Sequence, residues 1–215
     1  MPIRREQSAG TGLGASHIGR VNAQSSLFPL VPPVPGLRLI EQAIPPSLEV
    51  ELADEIDRLP LAPFQFGQWE GKRLTANFGS AYDYQRARPV PAPPLPSWID
   101  ALRQTLAPLF GLEPERFEQA LAIRYDPGAG IGWHRDRPQY GEVIGLSISA
   151  PATLRLRRRL PGGGFERAGV ELPRRSAYLL SGEVRDGWEH SIAPMSVTRR
   201  SITLRTMRDQ ATGTP

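Results

Sequence analysis

YDPGAGIGWHRDRPQY, residues 125–140, is the stretch on which the fold reading turns. Within it His134 and Asp136 stand two apart in an extended context. Residues i and i+2 of a strand point to one face, so a strand here aims an imidazole and a carboxylate at one point. That arrangement suits a metal. Divalent non-haem iron takes two histidines and one carboxylate on one face, leaving its other positions open. The chain has only three histidines, His17, His134 and His190. His17 lies in a stretch without an apparent core, which leaves His190 as the second imidazole.

Outward from this stretch the pattern is one of short strands, at 37–43, 119–125, 131–137, 142–149, 153–159, 166–172, 177–181, 189–192 and 201–205. PGAG, PQYG, PGGG and PRRS separate several of them, all of it turn chemistry. Two helices come earlier. Ser47 caps the first, which carries Leu48, Leu52, Ile56 and Leu59 at helical spacing. In the second a capping box of Ser97 and Asp100 precedes a stripe of Trp98, Leu102, Leu106 and Leu109. RPVPAPPLP, residues 88–96, reads as a connector. Short strands following helices predict an α+β, mainly β chain: a double-stranded β-helix (jelly roll) core buttressed by N-terminal helices.

Residues 1–36 mix Ser, Gly, Gln and Pro without periodicity and predict a disordered N-terminal tail. Residues 37–210 make the folded domain and 211–215 a short C-terminal tail. A chain of 215 residues is long enough for one domain with a real core. No apolar run of spanning length and no secretory signal is apparent, so no membrane is expected. The absence of cysteine excludes disulfides and thiolate sites, leaving His, Asp and Glu as the strong metal ligands. A cytoplasmic, reducing compartment is the expectation. The net charge is +4, and Lys72 is the only lysine. Arginine's planar fork suits phosphate, so a polyanionic partner fits; a biased genome composition accounts equally for the excess.

Near the C-terminus VTRRSITLRTMR sets Arg199 and Arg205 six apart, an even spacing that puts both on one strand face. Two guanidiniums beside a metal clamp a dicarboxylate, one fork to each end. In this order, RYDPGAGIGWHRD, SGEVRDGWEHSI and RRSITLRT resemble the AlkB-type iron(II)/2-oxoglutarate dioxygenases, over Leu37 to Arg208. The resemblance implies that His134, Asp136 and His190 hold Fe(II), with 2-oxoglutarate as co-substrate and O2 as oxidant. Arg199 would pair with the distal carboxylate, Tyr125 would hydrogen-bond it, and Arg205 would hold the end that chelates iron. Ser201 and Thr203 complete the co-substrate set. The chain departs from the family in three places: Ile123 and Ser201 stand where asparagine is frequent, and the pair Arg137-Pro138 where some nucleic-acid demethylases carry an acid. These changes bear on the prime substrate more than on iron.

RLTANFGSAYDY, residues 73–84, is similar to the nucleotide-recognition lid of repair-type members and sets a lid near 64–86. Trp69, Phe78, Tyr82 and Tyr84 would stack an extruded base, with Arg73, Lys72 and Arg86 on the phosphates. Ordinary hairpin packing explains the same aromatics. The implied activity is oxidative demethylation of N-alkylated bases such as 1-methyladenine and 3-methylcytosine in DNA or RNA, as in DNA repair. It would release formaldehyde, succinate and CO2 and need no protein partner. A protein or small-molecule substrate is the alternative, and a non-catalytic nucleic-acid-binding module a third. Arg185 reads as a brace for the iron-binding loop or as a surface ion pair. Arg157 to Arg159 read as a solvated edge or a phosphate contact, and Trp133 and Trp188 as packing beside the ligands.

Overall fold

The computed structural model describes residues 34–66, 69–83 and 88–208, without the side chains of Phe66, Trp69, Tyr82, Asp83, Arg88 and Pro89. All of them belong to one unit. Thirteen strands are assigned among the described residues. Seven make a large sheet in the order β1 (Leu37–Ile40), β11 (Ala177–Leu180), β8 (Tyr140–Ile148), β13 (Arg199–Met207), β6 (Phe117–Tyr125), β3 (Trp69–Phe78) and β2 (Ala62–Phe66). Four make a smaller sheet, β10 (Phe165–Leu172), β9 (Ala152–Arg159), β12 (Glu189–Ile192) and β7 (Ile131–His134). The pairings are antiparallel, and the two sheets form the predicted jelly roll. β4 (Ser80–Asp83) and β5 (Arg88–Pro91) make a separate pair.

The large sheet is buried on both faces. On its outer face Ile144, Leu146, Ile148, Ile202 and Leu204 form one core with helices α1 (Pro46–Arg58) and α2 (Ser97–Leu109). Each fully buried aliphatic side chain there contributes about 1.5–3 kcal/mol. On its inner face Val143, Tyr178 and Leu180 meet Leu154, Leu156 and Ile192 of the small sheet. Alternation along β8 thus sends Ile144, Leu146 and Ile148 to the outer layer and Val143 to the inner one, as a period of two requires.

Several local expectations need correction. Neither helix is capped by a side chain: Pro45 and Pro96 are the N-caps, so Ser47 and Ser97 lie inside the first turn. A proline holds the extended backbone of a cap, and the Pro96 carbonyl receives the Ile99 and Asp100 amides. Asp100 pairs with Arg103 instead, at 2.6 Å. The second stripe runs through Ile99, Leu102 and Leu106, and Leu109 is exposed. Part of the proline connector is β5, an edge strand that tolerates missing donors. Gly182–Gly187 is a helix, α3, absent from the sequence reading. Val34, assigned to the tail, is buried in the inner layer; residues 1–33 and 209–215 lie outside the described residues.

Candidate metal and co-substrate site

A pair of reciprocal backbone bonds sets up the site. Gly128 N donates to Met195 O and Met195 N to Ala129 O, both at 2.8 Å. They tie the loop before β7 to the segment after β12. Gly130 is needed for this approach, because a Cβ there would stand 2.8 Å from the Ile192 carbonyl oxygen. With the two ends fixed, His134 and His190 become direct cross-strand partners, their ring centroids 4.3 Å apart. Asp136 reaches the same point, though not as a strand residue, because β7 ends at His134. Ligand atoms of His134, Asp136 and His190 all lie within 4.8 Å of one another.

The His134 Nδ1–H faces the Gly132 carbonyl at 2.9 Å, which leaves Nε2 with its lone pair free to ligate. Burial lowers the pKa of His134 and, more strongly, of His190, which falls to about 3 with the neighbouring His134 adding to the effect. Both imidazoles are neutral at physiological pH, the ligating form. Burial alone would raise the pKa of Asp136. The Arg205 guanidinium and the two imidazoles overcome it and hold the carboxyl well below the usual range. Arg205 contacts the Asp136 carboxylate at 3.1 Å and donates to Gln119 Oε1 at 2.8 Å.

Arg185 is the brace rather than a surface ion pair. Its side chain is buried on α3, and it donates to the carbonyls of Gly141, Arg137 and Tyr140 at 2.9, 2.7 and 2.7 Å. Those carbonyls belong to the chain that leaves Asp136. Trp188 is buried in the inner layer, the packing role expected of it.

The triad opens into a cavity of about 1550 Å³ between the sheets. Arg199, Ser201, Thr203 and Arg205 line it from one face of β13, and Tyr125 from β6. Arg199 reaches Ser147 Oγ at 3.1 Å and lies over the Tyr125 ring at 5.3 Å. Thr203 Oγ1 and Arg205 Nε are buried without a hydrogen-bond partner. A wall of buried guanidiniums and orphaned donors next to two neutral imidazoles and a carboxylate fits ferrous iron with an anionic chelator.

Residues 65–209 match the family model described as the 2OG-Fe(II) oxygenase superfamily. The chain belongs to this superfamily. Iron(II), 2-oxoglutarate and O2 are the cofactors of its class. Among curated relatives, the tRNA (carboxymethyluridine(34)-5-O)-methyltransferase alkbh8 of Xenopus tropicalis is 28% identical over 193 residues. That alignment covers 83% of this chain but 28% of the relative, so this oxygenase spans little more than a quarter of it. Uncharacterized protein L905 of Acanthamoeba polyphaga mimivirus is 28% identical over 102 residues, 46% of this chain and 47% of its own. The solved structure of OsALKBH1 has the same fold, with a TM-score of 0.60 at 15% identity over 80% of this chain and 97% of that one. A Pseudomonas putida prolyl-4-hydroxylase shares it at a TM-score of 0.53 and 19% identity, over 80% and 93%. Family, relatives and fold together bear out the AlkB-type resemblance of the motifs.

The predicted substrate residues divide. Arg73 lines the cavity and lies 4.0 Å from the centroid of the Phe64 ring. Phe78 does not reach the cavity, which corrects its assignment. It sits in the outer core, edge-on to Trp98 at 6.5 Å. Its strand neighbour Asn77 lines the cavity, and alternation turns Phe78 the other way. Trp69 and Tyr82 have only their backbones described, in β3 and β4, and Tyr84 and Arg86 lie outside the described residues.

Tyr178 lines the cavity and was not singled out in the sequence. Tyr178, Gly145 and Thr203 form a row across β11, β8 and β13. A Cβ on Gly145 would come within 2.2 Å of the Tyr178 ring, so the phenol lies over Gly145. Burial pushes its pKa up to about 12, and it stays protonated. The only sequence signal was a glycine in a strand, the mark of a close approach.

Proposed function

We propose that this oxygenase removes methyl groups from the nitrogens of alkylated nucleic-acid bases. In this reading His134, Asp136 and His190 would hold Fe(II), and Arg199 and Arg205 would each take one carboxylate of 2-oxoglutarate. Tyr125, Ser201 and Thr203 supply further hydrogen bonds to it. Iron supplies the redox chemistry once bound. The chain's own part is to orient the co-substrate, hold the Asp136 carboxylate against Arg205 and shield the site from bulk water. In balance, the N-methyl base, 2-oxoglutarate and O2 give the demethylated base, formaldehyde, succinate and CO2. One oxygen atom goes to succinate and the other to formaldehyde.

The observation that carries the substrate assignment is the shared cavity. Phe64, Gln65 and Arg73, from the proposed lid, line the same space as the triad, so a base entering past them meets the metal ligands. An aromatic ring beside a cation in the cavity wall suits a flipped base and its phosphate. The tRNA named in the alkbh8 relative points the same way. We read residues 37–210 as the catalytic domain, 64–86 as its lid, and the cytoplasm as its compartment. Among the described residues no helix is long and apolar enough to cross a membrane.

Mass spectrometry of methylated DNA and RNA oligonucleotides, incubated with iron and 2-oxoglutarate, tests the reading. Loss of 14 mass units per methyl group, as about one formaldehyde appears per event, is the expected result. Turnover of a protein or metabolite while every oligonucleotide stays unchanged would overturn it. The prolyl-4-hydroxylase shows that this fold alone does not select the substrate.

A further inference from the structure

The outer face of the small sheet carries a second concentration of chemistry. Alternation on β9 turns Leu154 and Leu156 into the core and Arg155, Arg157 and Arg159 outward. On β10, Phe165 pairs with Arg159 and Arg167 with Arg157, and on β12 Glu189 pairs with Arg157. The guanidiniums lie over two rings. Arg157 is 4.5 Å from the Trp133 centroid and 4.4 Å from that of Phe165, and Arg155 is 5.3 Å from Trp133. Arg159 and Arg167 approach Phe165 at 5.1 and 5.6 Å. Glu189 neutralises Arg157 at 2.6 Å. Among the described residues, Arg155, Arg159 and Arg167 have no carboxylate partner, and the buried Nε of Arg155 has no acceptor.

Like charges set opposite each other on a sheet destabilise it. Glu189 offsets this for Arg157 opposite Arg167, and the cations that this face leaves without a carboxylate among the described residues are Arg155, Arg159 and Arg167. The shelf also continues into the site, since Trp133 lines the cavity and directly precedes His134. We propose that this face is a docking shelf for the phosphate backbone of a nucleic-acid strand whose target base occupies the cavity. Arg155, Arg159 and Arg167 take phosphates, and Trp133 and Phe165 give stacking faces. The proposal rests on the substrate reading above.

Arg159 and Arg167 are outside the cavity lining, so the double variant R159E/R167E tests the shelf. The probe is an unmethylated single-stranded oligonucleotide titrated at several salt concentrations. Removing two phosphate contacts should lower the slope of log affinity against log salt by about 1.4 and weaken binding roughly ten-fold or more. R159K/R167K should keep the wild-type slope, and both variants should melt with the wild type. Unchanged slope and affinity in R159E/R167E overturn the shelf. So does displacement of the oligonucleotide by poly-glutamate as readily as by a second oligonucleotide, which would assign the face to acidic protein. If the wild type demethylates oligonucleotides while the reversal leaves binding intact, the shelf alone fails. If no methylated nucleic acid is turned over, the substrate reading fails and the shelf with it.

A separate observation concerns the co-substrate. Gly145 is the gap that lets the Tyr178 phenol cross β8 toward β13, and the orphaned Thr203 hydroxyl ends the same row. We infer that the Tyr178 hydroxyl donates a hydrogen bond to a carboxylate oxygen of bound 2-oxoglutarate. Calorimetric titration of 2-oxoglutarate into manganese(II)-loaded protein reads this directly. Y178F should bind about ten-fold more weakly and melt with the wild type, and KM for 2-oxoglutarate should rise with kcat unchanged. G145A keeps the hydroxyl but displaces the ring, and should show the same loss. Wild-type affinity in Y178F overturns the assignment.

Discussion

On β13, Ile202 and Leu204 turn to the helices and are 1% and 0% exposed, while Arg199, Ser201, Thr203 and Arg205 turn to the cavity. β8 divides in the same way, with Ile144, Leu146 and Ile148 outward and Gly145 and Ser147 inward. One sheet thus carries an apolar face and a face of buried cations and hydroxyls, among them the unpartnered Thr203 Oγ1. The inner face is costly, because desolvated guanidiniums and orphaned donors each oppose folding. The outer face, packed under α1 and α2, offsets that cost. The site is held rigidly by strands whose stability comes from the side it does not use.

The comparison breaks most sharply at the metal. Asp136→Ala removes one of the three proposed ligands and leaves buried Arg205 without its ion-pair partner. Bound iron should be lost and 2-oxoglutarate turnover should fall more than about 1000-fold, over ~4 kcal/mol of activation energy. Metal analysis with a succinate assay checks both, and retention of iron would remove Asp136 from the ligand set. Leu204→Ala probes the opposite face of the same sheet. It should cost roughly 3 kcal/mol and lower Tm by about 6–12 °C, leaving iron affinity unchanged below the melting range. A parallel loss of iron would show that the two faces are not independent.

Arg185→Met sharpens the contrast inside the cavity. It strips three carbonyls of their shared donor without touching a ligand atom. Removing such an outer partner weakens metal affinity by roughly 10–100-fold. Competition with a chelator measures this, and an unchanged iron affinity would make Arg185 structural only.

These residues differ in how far their places were legible. The shared face of Arg199 and Arg205 on β13 followed from alternation, because a period of two is local. His190 followed from the scarcity of histidine, yet its register with His134 did not, since bonds between residues 128–129 and 195 fix that pairing. The i, i+2 argument brought Asp136 to the right place for an incomplete reason, as the strand stops at His134, Arg205 holds the carboxylate and Arg185 holds the backbone that follows it. Phe78 was misplaced because an aromatic-rich hairpin shows no clean alternation until its register with β6 is known. Helix α3 was missed because six residues are too few for a helical stripe.

The smallest expected effect tests how α1 is fastened to the sheet. Glu49, 3% exposed, accepts from the Ser149 amide at 2.8 Å and pairs with Arg174 at 2.9 Å. Ser149 has φ 73°, a left-handed conformation at the end of β8 that this bond helps to hold. Burial works to raise the Glu49 pKa, but Arg174 and the Ser149 amide outweigh it and the net shift is downward from 4.5. A carboxylate whose pKa is lowered by folding stabilises the fold fully above its unfolded value and loses that contribution as pH falls below it. Arg174 is more than half exposed, so solvent screens the pair and the contribution is about 1 kcal/mol. Glu49→Gln should therefore be less stable than the wild type at pH 7 by about that amount, with the gap closing below pH 4.5. Urea unfolding of both proteins from pH 7 to 3 measures it, and a gap that widens with acidification would show that this carboxylate opposes the native fold.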